Sequence, residues 1–247
     1  MTNIHSEYYR VASYQCNNER KLKLESVLNL LQDSLECFTQ TYNFGVDFVR
    51  KSNKGWVIRN NDVNIYDLPT FDDRLVIDTQ IKNMHKSILE FSSNAYMVGN
   101  RKKKLFSSVS QTVLIDMSTL RPVRIKENVP HIPSEENAVK TPVLPITPLS
   151  RVDQELDKPV MWDYIDFNQH VNNAAYVVFA RQTLPSSFYQ QNDLVQVKVA
   201  YKAPATLGDT MVVQTQREGL ESIHRIVSKS DKTKEFARLQ MFWRERE

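Results

Sequence analysis

The sequence predicts an α+β protein built from two copies of one fold, each a helix laid against an antiparallel sheet. Two observations lead there. A long helical pattern followed by strand-like runs is succeeded, beyond a proline-rich stretch, by a shorter helix-then-strands series. A short string also recurs. Tyr66-Asp67-Leu68-Pro69 is followed by Asp73, Leu75-Val76-Ile77, Thr79 and Gln80, and Tyr201-Lys202-Ala203-Pro204 by Asp209, Met211-Val212-Val213, Thr215 and Gln216. One extra residue in the second loop brings the two into register, and such self-similarity is the mark of a duplicated unit.

Taken in order, residues 1–20 are polar with scattered aromatics and supply one strand. Leu24, Val27, Leu28, Leu31, Leu35, Phe38 and Tyr42 then recur at helical spacing, which predicts one amphipathic helix over 24–42 with Gly45 as its stop. Strands are expected at 55–59, 63–66, 74–84, 87–98 and 105–117, separated by Asn, Asp, Gly and Lys clusters. Residues 126–150 hold Pro130, Pro133, Pro142, Pro145 and Pro148. Proline has no N–H for a ladder or helix, so this reads as an extended connector between domains 1–125 and 151–247. A second helix, 173–184, ends before Pro185, and strands follow at 195–201, 210–217, 222–229 and 234–243.

Composition removes several classes of function. A 247-residue chain that is 41% hydrophobic and 25% charged reads as an ordinary globular protein. Its net charge of +3 does not mark a nucleic-acid binder, and the first ten residues contain no apolar run that would make a signal peptide. No stretch is long and apolar enough to span a membrane. A cytoplasmic protein is expected. Cys16 and Cys37 form no C-x-x-C pair, which argues against a disulfide framework or a zinc knuckle. The five glycines make no nucleophile elbow, P-loop or dinucleotide fingerprint, and the five histidines make no H-E-x-x-H. No cofactor and no metal is expected.

One stretch concentrates reactive side chains. Asp163-Tyr164-Ile165-Asp166-Phe167-Asn168-Gln169-His170-Val171-Asn172-Asn173 runs directly into the apolar segment from Ala174 to Ala180. Asp166, Asn168 and His170 alternate with Phe167 and Gln169, so an extended backbone would point all three to one side. Asn172 or Asn173 suits an N-cap, and the remaining N–H groups of the first turn suit negative charge. An Asx-rich turn followed by a helix cap accounts for the same residues without any chemistry.

The run Asn168-Gln169-His170-Val171-Asn172-Asn173, with Tyr176 and Pro185, resembles the active-site segment of acyl-acyl carrier protein (ACP) thioesterases, the plant-type fatty-acyl thioesterases and their shorter bacterial relatives. The resemblance implies a tandem double hotdog fold, in which each antiparallel sheet wraps around a central helix, here 24–42 and 173–184. It implies hydrolysis of fatty acyl-ACP in fatty acid biosynthesis, with Asp166, Asn168 and His170 as catalytic residues and an acidic carrier protein as partner. The first copy shows no counterpart of those three ahead of its helix, so it is expected to shape the acyl pocket, with Leu28, Leu31 and Leu35 as lining. Asn172 and Asn173 are expected at the substrate.

His170 is the residue best matched to act as a base near neutrality, since an unperturbed imidazole titrates near pH ~6.5. Asp166 would hold the imidazole or help activate water, Asn168 would orient water or the thioester carbonyl, and first-turn N–H groups of the second helix would face the oxyanion. Direct attack by water is preferred because the second half contains no cysteine. One departure stands out. Family members carry an acid just after the tyrosine-basic pair that here is Tyr201-Lys202, and this chain has Ala203-Pro204-Ala205. Asp163 and Asp209 are candidates to replace it. An acyl-CoA thioesterase and a non-catalytic acyl-binding protein are the alternatives. An acidic carrier calls for a basic surface, for which 101–104, Arg121, Arg124 and Lys126, or Lys198 and Lys202 are the candidates. A basic face without interleaved aromatics is a poor nucleic-acid site. Hotdog domains pair through their sheets, which the tandem copy can satisfy within one chain, and a homodimer stays open.

Overall fold

The structure, a computed structural model, describes residues 3–134 and 145–246. It comprises two compact units, Met1–Val143 and Leu144–Glu247. Residues 135–144 of the expected connector, Pro142 among them, lie outside the described residues.

The first unit runs β1 (His5–Arg10), α1 (Leu24–Thr41), α2 (Val46–Ser52), β2 (Lys54–Ile65), β3 (Arg74–His85), β4 (Ile88–Met97), β5 (Asn100–Asp116) and one helical turn, α3 (Ile125–Asn128). Its strands pair antiparallel in the order β1-β3-β4-β5-β2, with α1 against β3 and β4. Side chains alternate between the faces of a strand, so the positions beneath α1 carry the apolar residues. Leu35 and Phe38 of α1 meet Phe44, Met84, Leu89, Phe91 and Leu114 in one buried cluster, closed by Ile125 and Val129. Each such side chain, fully buried, contributes about 1.5–3 kcal/mol.

Three expectations need correction here. Helix α1 ends at Thr41, and Asn43, not Gly45, makes the stop. Asn43 takes a left-handed backbone (φ 60°), and the N–H groups of Asn43 and Phe44 return to the carbonyls of Gln40 and Thr39 at 3.1 and 2.9 Å. Gly45 instead caps α2. Strand β2 is one strand, not two, since it pairs with β5 from Lys54 to Ile65; a one-residue shift between Ile58 and Asn60 breaks its alternation of apolar and polar residues. Residues 126–128 are helical within α3 rather than extended.

The second unit runs β6 (Gln154–Pro159), α4 (Asn173–Arg181), α5 (Ser186–Gln191), β7 (Asn192–Tyr201), β8 (Thr210–Glu218), β9 (Glu221–Ser228) and β10 (Glu235–Glu245). The order β6-β8-β9-β10-β7 repeats the first unit strand for strand. The expected helix 173–184 stops at Arg181, and α5 follows Pro185, its Phe188 packed 5.0 Å from Trp243. Strand β6 falls where the sequence shows no strand-like alternation.

The duplication extends to individual hydrogen bonds. Tyr66 and Asp67 N–H both donate to the Leu105 carbonyl (2.9 Å), as Lys202 and Ala203 N–H do to Phe236 (2.9 and 3.3 Å). Thr70 N–H donates to the Asp73 carboxylate (2.7 Å), as Thr206 N–H does to Asp209 (2.9 Å). Tyr66 therefore matches Lys202 rather than Tyr201, and the second loop needs no extra residue. Among the described residues no helix is long and apolar enough to cross a membrane.

Candidate active site

The loop ahead of α4 is a tight turn. After one 3-10 turn at Trp162–Tyr164, Ile165 and Val171 face each other as an isolated antiparallel bridge. Asp166 N–H donates to the His170 carbonyl (2.8 Å), Gln169 N–H donates to the Asp166 carbonyl (3.0 Å), and Gln169 is left-handed at φ 64°. The backbone is therefore the Asx-rich turn and helix cap, not an extended run that would align the three side chains. The cause is local. The Asp166 carboxylate accepts from Asn168 N–H at 2.8 Å and lies 3.5 Å from His170 N–H, an Asx turn that outcompetes an extended backbone. Asp166 thus ties down the backbone of both other candidates. Asp166 and His170 are half-buried, and Asn168 is exposed.

The exit of the loop is anchored twice, by Val171 N–H to the Ala205 carbonyl (2.9 Å) and by Asn172 N–H to the Tyr164 carbonyl (2.8 Å). Asn172 is the N-cap, its side chain accepting from Ala174 N–H at 2.8 Å, while Ala175 N–H donates to its carbonyl at 3.0 Å. Two of the first three N–H groups of α4 are thereby spent on Asn172, which narrows the helix end as an oxyanion site. Asn173 accepts the Tyr201 hydroxyl proton on its carbonyl (3.2 Å). Tyr176, one turn into α4, is buried, and its hydroxyl accepts from Ala205 N–H at 3.2 Å. Burial pushes this phenol up to about 12, so it stays neutral. Its ring meets that of Tyr201 edge-on at 5.8 Å. Leu28, Leu31 and Leu35 belong to the first unit and are buried along α1.

The model of the acyl-ACP thioesterase N-terminal domain matches residues 2–132, and that of the C-terminal domain residues 149–245. The chain belongs to the acyl-ACP thioesterase family. A chloroplastic acyl-[acyl-carrier-protein] hydrolase of Cuphea viscosissima is 22% identical over 220 residues, 81% of this chain and 52% of the relative. The chain thus spans about half the length of that curated relative. An acyl-ACP thioesterase from Bacteroides thetaiotaomicron superposes with a TM-score of 0.83 at 16% identity, covering 98% of each chain. A 12:0-ACP thioesterase from Umbellularia californica superposes with a TM-score of 0.80 at 19% identity, again over 98% of each. The fold is a tandem hotdog, an antiparallel sheet around a central helix in each unit.

Within this acyl-ACP thioesterase fold the first unit carries a second edition of the loop's backbone, without the three side chains. Cys16 and Leu22 form the bridge, Asn17 N–H donates to the Lys21 carbonyl (2.8 Å), Arg20 N–H to the Asn17 carbonyl (3.0 Å), and Arg20 is left-handed at φ 63°. The Asn17 side chain accepts from Glu19 and Lys21 N–H, each at 3.0 Å. Asn17, Glu19 and Lys21 therefore stand where Asp166, Asn168 and His170 stand. The backbone survives the duplication and the side chains do not.

The same comparison sorts the acids proposed to fill the place taken by Ala203-Pro204-Ala205. Asp209 caps a turn that Asp73 caps identically in the first unit, which makes it a structural residue. Asp163 is exposed on the 3-10 turn at the position of Tyr14. The roles of Tyr201 and Ala205 were missed from the sequence, and the tyrosine-basic pair was the signal available.

Proposed function

We propose that this protein hydrolyses fatty acyl-ACP to free fatty acid and ACP in fatty acid biosynthesis, with Asp166, Asn168 and His170 as its catalytic residues. The observation that carries the reading is the Asp166 carboxylate, which draws the Asn168 and His170 backbones onto one turn at the mouth of α4. Residues 151–247 form the catalytic domain, the stretch from 130 to 150 the connector, and the residues before it, α3 and Val129 included, the domain that shapes the acyl pocket with Leu28, Leu31 and Leu35.

In the reaction His170 takes a proton from water as the oxygen attacks the thioester carbonyl carbon. The exposed Asn168 carboxamide donates to the carbonyl oxygen as it gains charge. Collapse of the tetrahedral intermediate breaks the C–S bond, and the imidazolium returns its proton to the departing thiolate. Asp166 accepts from the Asn168 and His170 backbone N–H groups and so holds base and carboxamide on one turn. Asn172 and Asn173 line the approach at the helix end.

An acidic carrier needs unpaired positive charge. Arg101 pairs with Asp78 (2.9 Å) and Lys103 with Asp67 (2.8 Å), which leaves the run 101–104 partly neutralised on strand β5. Around Glu235, by contrast, one carboxylate serves Arg238 (2.8 Å), Lys202 (3.0 Å) and Arg225 (3.7 Å). That excess adjoins the 202–206 segment that anchors the site, and we assign carrier docking to it.

The test is release of free thiol from acyl-ACPs of several chain lengths beside the matching acyl-CoAs. Turnover on the carrier, weaker on CoA, is expected. Faster turnover on CoA would replace this reading with an acyl-CoA thioesterase. The missing acid favours a second reading, an acyl-binding protein, and binding of a non-hydrolysable thioester analogue without turnover on any substrate would establish it.

A further inference from the structure

The two editions of the loop differ in one tertiary feature that the shape of the loop does not require. In both units the last residue of the loop donates its N–H to a carbonyl across the unit, Leu22 to Pro69 (2.8 Å) and Val171 to Ala205 (2.9 Å). In the second unit Ala205 also donates its own N–H to the Tyr176 hydroxyl at 3.2 Å. In the first unit the matching helix residue is Val27, fully buried, and the matching loop residue is Pro69, which has neither hydroxyl partner nor N–H to give. The first unit folds the same turn without the clamp.

A buried phenol is a costly way to fill a space that valine fills in the copy, because a hydroxyl taken out of water must be given a hydrogen bond. The bond it makes points at one place. Ala205 holds Val171 through its carbonyl and is held by Tyr176 through its N–H, and Val171 directly follows His170. We infer that Tyr176 is a positioning residue for His170, acting through the Ala205 peptide.

This rests on the hydrolytic reading only for its kinetic arm. Tyr176→Phe keeps the ring and removes the clamp. Turnover number on acyl-ACP should fall by about 10- to 100-fold with KM within about twofold, the signature of a misplaced base rather than lost binding. By NMR the Ala205 amide should exchange faster and the His170 imidazole titration should move. Native turnover together with an unchanged His170 titration would overturn the assignment. So would a faster Ala205 amide with His170 undisturbed, since the bond would then be structural alone. If the unmodified protein releases no thiol from any acyl thioester, the hydrolytic reading fails by itself, and the His170 titration in Tyr176→Phe still decides whether the clamp positions the imidazole.

Discussion

Loops 16–22 and 165–171 close with the same bridge, the same pair of backbone hydrogen bonds and the same left-handed fifth residue, yet share no chemistry. In one an amide oxygen of Asn17 gathers two N–H groups, and in the other a carboxylate oxygen of Asp166 does so. The turn needs an acceptor at that position and does not need charge. The negative charge of Asp166 is therefore surplus to folding, and the same holds for the imidazole at 170, where the copy has Lys21. Duplicated loops inside one chain act as an internal control, separating what the backbone requires from what the site adds.

The largest loss of activity should come from position 170. His170→Ala should abolish thiol release from acyl-ACP, while thermal unfolding moves by no more than about 0.5 kcal/mol, as befits a half-buried loop residue. Substantial turnover in the variant would place the base elsewhere. Asp166→Asn is the sharper cut, because Asn17 shows that an amide supports the turn. The loop should persist, seen as retained protection of the Asn168 amide, and turnover should fall by about 10²-fold from loss of the negative charge at the mouth of α4. A collapsed loop, or native turnover, would remove the distinction drawn between shape and charge.

A second difference lies under the helices. In the first unit Ser34 of α1 meets Thr79 (2.9 Å), which meets Ser93 (2.8 Å). In the second unit Thr183 meets Thr215, which meets His224 Nδ1 at 2.7 Å, and Nε2 of His224 lies 3.0 Å from Ser222. Burial pushes His224 down to about 3. A folded-state value below the unfolded one, near ~6.5, means that the unfolded chain binds the proton more readily. This stabilisation is complete above pH ~6.5 and drains away as pH falls toward 3. Ser93 has nothing to titrate there. Hydrogen exchange should therefore show the second unit losing protection first on acidification below pH ~6.5, and His224→Gln should flatten that slope. Equal loss in both units, unaffected by the variant, would show that other carboxylates govern acid stability.

Much of this was legible from residues whose pattern and environment agree. Leu24 to Phe38 announce α1, and Val195 to Tyr201 announce most of β7. The N-x-H-V-N-N string marked the second-unit loop. Its sequence allowed two shapes, an extended run that would align Asp166, Asn168 and His170 or an Asx-rich turn, and one side chain-to-backbone bond decides for the turn. The first-unit loop stayed hidden because Asn17, Glu19 and Lys21 share only an Asx side chain with their counterparts. Strand β6 stayed hidden because Gln154-Glu155-Leu156-Asp157-Lys158-Pro159, an edge strand, offers one apolar residue in six.

The smallest expected effect tests the control itself. Asn17→Asp places in the first unit the carboxylate that Asp166 supplies in the second. The new oxygen accepts from the same two N–H groups, and Lys21, whose amine lies 3.7 Å from Glu19, offers further positive charge nearby. Stability should change by only a few tenths of a kcal/mol, within the range of ordinary surface substitutions. Turnover should not change at all, because the first-unit loop has neither imidazole nor tyrosine clamp. A measurable change in acyl-ACP hydrolysis would mean that the first loop takes part in the reaction, and the two loops would then be partners in one site rather than a working copy and a structural one.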